Sequence, residues 1–213
     1  MQSIMGRSFQ RRPGDPKKAA LLLIVLAACS SKPPVDTRDY AQKIAAERTE
    51  KDQLFLQKND PIPDARKGTL LPLAYFPIDP VYDVPASLTP SDDPTVLDMP
   101  TSTGAPRKMR KAGTLTFSLK GQPLSITAFY DLTGSPEHLS VMFNDMTSGT
   151  ETYPGGRYLD LDRNPQGVYE LDFNRAYNPY CYYNASYECP IPPQENRLKV
   201  PIRAGERMRR STT

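Results

Sequence analysis

Thr114-Leu115-Thr116-Phe117-Ser118-Leu119, then Lys120-Gly121-Gln122-Pro123, then Leu124-Ser125-Ile126-Thr127-Ala128 is the stretch that decides the fold. Leu115, Phe117 and Leu119 alternate with hydroxyl residues, and Leu124, Ile126 and Ala128 alternate again after the break. A period of two places apolar side chains on one face of a pleated strand and polar ones on the other. Gly121-Gln122 allows a turn between the runs, so the pair reads as a β-hairpin. Leu139, Val141 and Phe143 mark a third strand, and residues 70–75, 84–88, 157–161, 168–173 and 198–202 are weaker candidates. The chain carries 23 prolines, which argues for short strands joined by rigid loops rather than long helices. Residues 89–106, with four of those prolines, are expected to form a surface loop.

Upstream of the strands, Asp36 or Thr37 is placed to cap one α-helix running to about Gln57, with Asp39 in its acidic first turn. Tyr40, Ile44, Lys51 and Phe55 share a stripe, and Leu54-Phe55-Leu56 is expected to dock on the sheet. Glu47–Lys51 and Arg48–Asp52 have the i,i+4 spacing of ion pairs on a solvated face. The expected fold class is mainly β: a compact antiparallel barrel or sandwich with one N-terminal α-helix.

The N-terminus carries an address. A basic run (Arg7, Arg11, Arg12, Lys17, Lys18) precedes ten apolar or small residues, from Ala19 to Ala28, and then Cys29. That is the layout of an export signal, and the apolar run is too short to cross a bilayer as a helix. Leu26-Ala27-Ala28-Cys29 resembles the bacterial lipobox, which implies cleavage before Cys29 and a lipid anchor, with palmitate-type chains, on its thiol. The expected organisation is a signal peptide over residues 1–28, a tether over 29–36, one domain over 37–207 and a tail over 208–213. The expected location is the bacterial cell envelope, with the lipid as the membrane contact. Ser30 after the cysteine, rather than an acid, favours the periplasmic face of the outer membrane.

Removing the signal changes the charge argument. The whole chain is +3, but residues 1–28 contribute a net +4, so the remainder is about −1. A nucleic-acid binder keeps a basic face in its folded part, so nucleic acid is not an expected partner. Once Cys29 goes to lipid, Cys181 and Cys189 remain. In an oxidising compartment they are expected to form a disulfide, closing a short loop worth roughly 2–3 kcal/mol by chain entropy. The alternative is a thiolate pair on zinc, completed by carboxylates because His138 is the one histidine.

Eight of the twelve tyrosines fall between Tyr153 and Tyr187. In that region Asp145, Glu151, Tyr153, Arg157, Asp172, Asn174, Tyr177 and Asn178 are the candidate ligand-binding residues. Arg157 is a planar cation suited to a carboxylate or phosphate; an internal ion pair with Asp145, Glu151 or Asp172 is the competing role. Asp172, Asn174 and Asn178 can shape Asx turns or line a cleft walled by Tyr153 and Tyr177. Since alternate strand residues point to one face, the eight are expected to converge on one cleft.

Catalytic templates fit poorly, and no catalytic residue is assigned. A Ser–His–acid arrangement would need His138 beside Ser148 or Ser186, and neither serine sits in a nucleophile-elbow sequence. Asp145, Glu151, Asp172, Glu195 and Glu206 are available as paired carboxylates, but spacing in space decides that chemistry. There is no Gly-rich phosphate loop and no acidic loop of regular ligand spacing, so no cofactor or resident metal is expected.

Several long motifs are distinctive. They are Phe143-Asn144-Asp145-Met146-Thr147-Ser148-Gly149-Thr150-Glu151-Thr152-Tyr153 with Gly156-Arg157-Tyr158-Leu159, and Asp172-Phe173-Asn174-Arg175-Ala176-Tyr177-Asn178-Pro179-Tyr180-Cys181. Cys189-Pro190-Ile191-Pro192-Pro193-Gln194-Glu195-Asn196 and Ala204-Gly205-Glu206 follow, while Lys51-Asp52-Gln53-Leu54-Phe55 and Tyr75-Phe76-Pro77-Ile78-Asp79-Pro80 precede them. Over roughly residues 38–207 these resemble the bacterial family called domain of unknown function 1684, with Asp60-Pro61 standing where Ser-Pro is expected. The resemblance implies a shared fold and frequent occurrence as an exported lipoprotein. It brings no reaction with it. The functional expectation is therefore an envelope lipoprotein whose β-domain binds a small polar ligand or an envelope partner; the alternative is an envelope hydrolase using carboxylates in the same cleft.

Replacing Cys29 by Ser is expected to abolish lipid labelling and leave the chain unprocessed or released from the membrane fraction, because acyl chains supply the anchor. Intact-mass measurement of the membrane-extracted protein checks it; an unmodified N-terminus in the wild type would refute the lipobox reading.

Overall fold

The computed structural model describes residues 39–57, 61–133, 138–162 and 164–209. The export signal, Cys29, the tether, the expected caps Asp36 and Thr37, and Asp60 lie outside them. Seven strands follow one another: β1 (Asp83–Pro90), β2 (Val96–Met99), β3 (Arg107–Leu119), β4 (Gln122–Asp131), β5 (His138–Phe143), β6 (Arg157–Asp162) and β7 (Val168–Asp172). They form one antiparallel sheet in the order β6-β5-β4-β3-β1-β7, with β2 also on β3. The sheet curls until it is nearly closed, so Leu159 and Leu161 of β6 share one core with Leu171 of β7, Leu115, Ile126 and Val141. Of the two forms expected, it is the barrel.

The β3–β4 hairpin is where the alternation places it, with the turn one residue earlier than Gly121-Gln122. Leu119 pairs with Gln122, so Lys120 and Gly121 make the two-residue loop, at φ 51° and 79°. Positive φ at both positions gives the twist that matches right-handed strands, and glycine takes its position without strain. Residues 89–106 are not wholly a loop, because they contain β2. Only Met99 of β2 is buried, so among prolines it had no apolar alternation to announce it. Residues 70–75 and 198–202 are not strands either. Leu70 closes α2 (Asp64–Leu70), and Tyr75 makes one isolated bridge with Glu206. Leu198 and Ile202 are buried in the core, so their spacing reported burial, not membership of a ladder.

The main helix, α1 (Tyr40–Leu56), starts at Asp39, which is its cap rather than part of its first turn. Asp39 Oδ1 accepts from Gln42 N at 2.8 Å, and Gln42 returns a bond to the cap, a capping box. Ile44 and Phe55 are buried while Leu54 and Leu56 are exposed, so only Phe55 of the terminal trio docks. The expected solvated pairs Glu47–Lys51 and Arg48–Asp52 do not form. Glu47 pairs with Arg175 (2.9 Å) and Lys51 with Glu206 (2.5 Å). Arg48 donates to the carbonyls of Phe76 (3.0 Å) and Asn174 (3.3 Å), and Asp52 accepts from Leu73 N (2.8 Å). A solvated i,i+4 pair is worth a few tenths of a kcal/mol, which for Arg48, Lys51 and Asp52 loses to partners held in a drier place, and for Glu47 loses to a bidentate grip by Arg175.

One irregularity makes the sheet two-faced. The β3–β4 register shifts between Lys111 and Gly113, a bulge that rotates the strand. Beyond it Leu115, Phe117 and Leu119 face the barrel core; before it Met109 faces outward and joins Met99, Phe129 and Met142 in a second apolar cluster. Near there β4 and β5 pair only at Phe129 and Ser140, and Asn196, fully buried, fills the gap in the ladder. Its Oδ1 accepts from Thr127 N (2.7 Å) while its Nδ2 donates to the carbonyls of Thr127 and Met142 (2.8 Å each).

Asn196→Ala is expected to destabilise the fold by about 3 kcal/mol, because it strands three buried backbone groups that no water reaches. Urea unfolding with an unchanged m-value checks it; a loss under about 1 kcal/mol would mean the strands close the gap themselves.

Candidate functional site

The eight candidate residues fall into separate networks rather than one cleft. Arg157 and Asp145 form the innermost, each side chain 1% exposed. Arg157 Nη2 donates to Asp145 Oδ2 (2.9 Å) and the carbonyl of Ile202 (2.7 Å); Nη1 donates to the carbonyls of Ala204 and Glu206. Asp145 Oδ1 accepts from Thr147 N (2.8 Å), Thr147 Oγ1 (2.6 Å) and Ile202 N (3.2 Å). Burial draws Arg157 below its ordinary pKa and the Asp145 charge works against that. Both lone-pair sets and all four Nη–H contacts are spent inside the protein. The pair binds chain to chain.

Asp172 and Asn174 make a second knot, facing α1. Asp172 Oδ1 accepts from Tyr40 OH (2.9 Å) and Asn174 N (2.9 Å), and Arg175 Nη1 reaches its other oxygen at 3.0 Å. Asn174 Nδ2 donates to the Asp79 carbonyl (2.9 Å) and its Oδ1 accepts from Asp79 N (3.0 Å). Beside it, carboxylate oxygens of Asp83, Glu170 and Asp172 lie within 4.8 Å of one another. Burial first, then the Glu170 and Asp172 charges, push Asp83 up to about 6. Arg175 already offsets part of this charge, bonding Glu170 as well as Asp172.

The remaining four are spread. Glu151 pairs with Arg203 (2.8 Å), which is exposed. Tyr153 packs edge-on to Tyr182, with its hydroxyl 3.9 Å from Cys181 Sγ. Asn178 N donates to Glu206 Oε2 (2.8 Å), and Tyr177 OH donates to Asp160 Oδ2 (2.6 Å). Of the eight only Arg157 and Asp172 lie on strands, where alternation fixes their face; the other six sit on loops and turns that leave the sheet in different directions. Arg157, Leu159 and Leu161 point into the barrel, so Tyr158 and Asp160 point out of it, and residues close in sequence serve opposite faces.

What the structure does bring together is a cleft of about 670 Å³ on that outer face. Of the eight candidates only Tyr177 lines it. The β5–β6 register sets its back wall, since His138, Ser140 and Met142 stand opposite Asp162, Asp160 and Tyr158. Met109 and Met142 of the outer apolar cluster form the floor, and Lys51, Leu54 and Phe55 of α1 close one side. Tyr177 joins β6 through paired backbone bonds with Tyr158 (2.9 and 3.0 Å), and the chain from Pro179 to Pro190 supplies Tyr180, Tyr187, Glu188 and Cys189. Apart from Tyr177 these residues were not among the candidates, yet a signal was there: Phe129 and Met142 are large apolar residues on the outward face of their strands.

The cysteines stand beside the cleft as free thiols, so the expected disulfide is not formed in this structure. They are adjacent: Cys181 N donates to Cys189 Sγ at 3.1 Å. Hydrogen bonding from Cys189, helped by Tyr153 and Ser102, draws Cys181 down to about 6, while the same bond and burial push Cys189 up.

With this geometry in place, the chain can be set beside known proteins. The model of the family described as "Protein of unknown function (DUF1684)" matches residues 70–207, a span that takes in the whole barrel and leaves α1 outside. Among solved structures, an uncharacterised protein of Haloarcula marismortui, determined by solution NMR, is similar at 35% identity and a TM-score of 0.63. That similarity covers 78% of this chain and 93% of the other. No curated protein matches.

Arg157→Ala is expected to cost about 3–5 kcal/mol, the penalty for orphaning a buried carboxylate together with three carbonyls. Denaturant unfolding of the variant checks it; a loss near zero would show that Asp145 and the 202–206 segment hold without the guanidinium.

Proposed function

The chain belongs to the DUF1684 family of proteins of unknown function, and we propose that this member is an exported envelope lipoprotein that binds a small polar ligand or partner in the β5–β6 cleft. The single observation that carries the binding reading is the cleft itself. It is concave, its floor is apolar, and its walls combine tyrosine rings with a few convergent charges, the usual make-up of a ligand site. The candidate residues taken from the sequence have a different part in this proposal. Arg157, Asp145, Asp172 and Asn174 brace the scaffold, and Tyr177 meets the ligand.

The lipobox over Leu26-Ala27-Ala28-Cys29 supports lipid on Cys29, and Ser30 supports the periplasmic face of the outer membrane. In that compartment a disulfide-bearing oxidant takes up the two electrons: the Cys181 thiolate attacks its S–S bond to form a mixed disulfide, and the neighbouring Cys189, giving up its proton, displaces the reduced oxidant as a thiolate and leaves a Cys181–Cys189 disulfide. The depressed Cys181 thiol favours this, since the thiolate is the attacking species.

Native mass spectrometry of protein extracted from its own membranes reads the proposal in one measurement. The expected result is a lipid-modified Cys29, oxidised sulfur at Cys181–Cys189, and a retained small molecule that Tyr177→Ala loses. An unmodified N-terminus beyond Cys29 would overturn the lipoprotein reading. A cleft that retains nothing and shows no shift with any added polar compound would overturn the binding reading.

A further inference from the structure

We infer that the cleft selects an organic cation, an ammonium-bearing small molecule held by Asp160 and a cage of tyrosine rings; this rests on the reading of the cleft as a binding site.

The charge balance is the first ground. Asp131, Asp160 and Glu188 line the cleft, and Glu206 lies directly behind Lys51. Against these four carboxylates the described residues of the cleft set two permanent cations, and both are already engaged. Lys51 Nζ is 2.5 Å from Glu206 Oε1, and Arg107 reaches Asp131 at 3.1 Å and Glu188 at 3.7 Å. His138 sits against Asp162 at 2.9 Å. An anionic ligand would have to displace an acid from each cation in turn. Asp160 is the opposite case. Its oxygens accept only neutral hydroxyls, from Tyr177 (2.6 Å) and Ser140 (3.3 Å), and among the described residues no Lys, Arg or His pairs with it.

The second ground is the aromatic surface around that carboxylate. Tyr158 and Tyr177 meet edge-on with ring centres 5.9 Å apart, and Tyr180 and Tyr187 do the same at 5.3 Å; all four rings line the cleft. Ring faces are the negative end of the aromatic quadrupole, so they attract cations and repel anions, and cages of several rings are how proteins hold alkylammonium groups. The cleft already shows the interaction internally. The Lys51 ammonium lies 4.8 Å from the centre of the Tyr177 ring and 5.3 Å from that of Phe55. The Asp160 charge also contributes, after burial, to raising the pKa of both Tyr177 and Tyr180, so its field reaches both pairs of rings. Tyr180 is 45% exposed and Asp160 is exposed as well, which leaves this end of the cleft open to a ligand.

Choline and its uncharged isostere 3,3-dimethylbutan-1-ol test the inference on the full lipid-anchored protein in detergent, read by the methyl NMR signals of Met109 and Met142 on the cleft floor. Choline is expected to shift both methyls with an affinity about tenfold better than the isostere. Asp160→Asn keeps an acceptor for the Tyr177 and Ser140 hydroxyls, so it is expected to fold with an unchanged melting temperature while most of that preference is lost. Tyr180→Ala is expected to weaken choline and spare the fold. Equal binding of the two compounds, or an Asp160→Asn variant that prefers choline as strongly as the wild type does, overturns the cation inference and leaves the cleft reading standing. Inorganic phosphate shifting the methyls in place of choline does the same. If no probe of either charge or of none moves them, both readings fall.

Discussion

A guanidinium with no access to water governs this fold. Burying Arg157 without partners would cost far more than the net stability of a domain of this size, so its acceptors must be delivered. They are the Asp145 carboxylate and the backbone carbonyls of Ile202, Ala204 and Glu206. The consequence is a C-terminal segment held straight across the start of β6. Gly205 allows this: at φ +74° a Cβ would sit 2.4 Å from the carbonyl oxygen of Ala176. Glu206 is thereby fixed with its carboxylate turned the other way. Its Oε1 receives Lys51 from α1, and its Oε2 receives Asn178 N (2.8 Å) and Tyr183 OH (2.5 Å). The cleft lies beyond those groups. Its α1 wall and its tyrosine wall are therefore positioned from inside the barrel, through one buried cation and one buried acid.

The second constraint is the bulge between Lys111 and Gly113. A sheet without it would keep one alternation along β3, with every apolar residue facing the core. With it, Met109 turns outward beside Phe129 and Met142, each nearly fully buried. Burying such side chains is worth about 1.5–3 kcal/mol apiece, so the outer face needs a cover, and the 177–190 segment and Met99 provide it. A cover laid over a curved sheet leaves a gap where the two diverge, and the gap is the cleft. The floor is apolar because the bulge turns Met109 outward beside Met142, which the alternation of β5 already points that way; the walls are polar because they come from loop and helix ends.

This explains why parts of the molecule could be read from sequence and others could not. The strands β1 and β3–β7 were legible because Leu115, Ile126, Val141, Leu159 and Leu171 alternate with polar neighbours. The helix stripe of Tyr40, Ile44, Lys51 and Phe55 was legible for the same reason at a longer period. That Arg157 needs a nearby acid was legible from the cost of burying charge, and Asp145 meets it at 2.9 Å. What escaped depends on distance in sequence. Lys51 meets Glu206 across 155 positions and Asn196 meets Thr127 across 69, and local periodicity carries no such information. The cleft escaped because it is built where the alternation fails: a bulge in β3, and apolar residues on the outward side of β4 and β5.

The nature of α1's attachment gives the cleft one compliant wall. Only Ile44 and Phe55 of its seventeen residues are buried, too little apolar area to hold a helix by itself. The rest of the docking is polar: Tyr40 to Asp172, Glu47 to Arg175, Arg48 to two carbonyls, and Lys51 to Glu206. These contacts differ in kind. The Glu47–Arg175 pair is 45% and 39% exposed, so water and salt weaken it. The Lys51–Glu206 pair is 25% and 1% exposed and lies next to the cleft. An element held by few apolar contacts and several half-exposed polar ones opens locally at lower cost than the strands behind it. The back wall, fixed by the β5–β6 ladder, then sets where Asp160 and Tyr158 stand, while α1 sets how closely Lys51, Leu54 and Phe55 approach whatever occupies the space between.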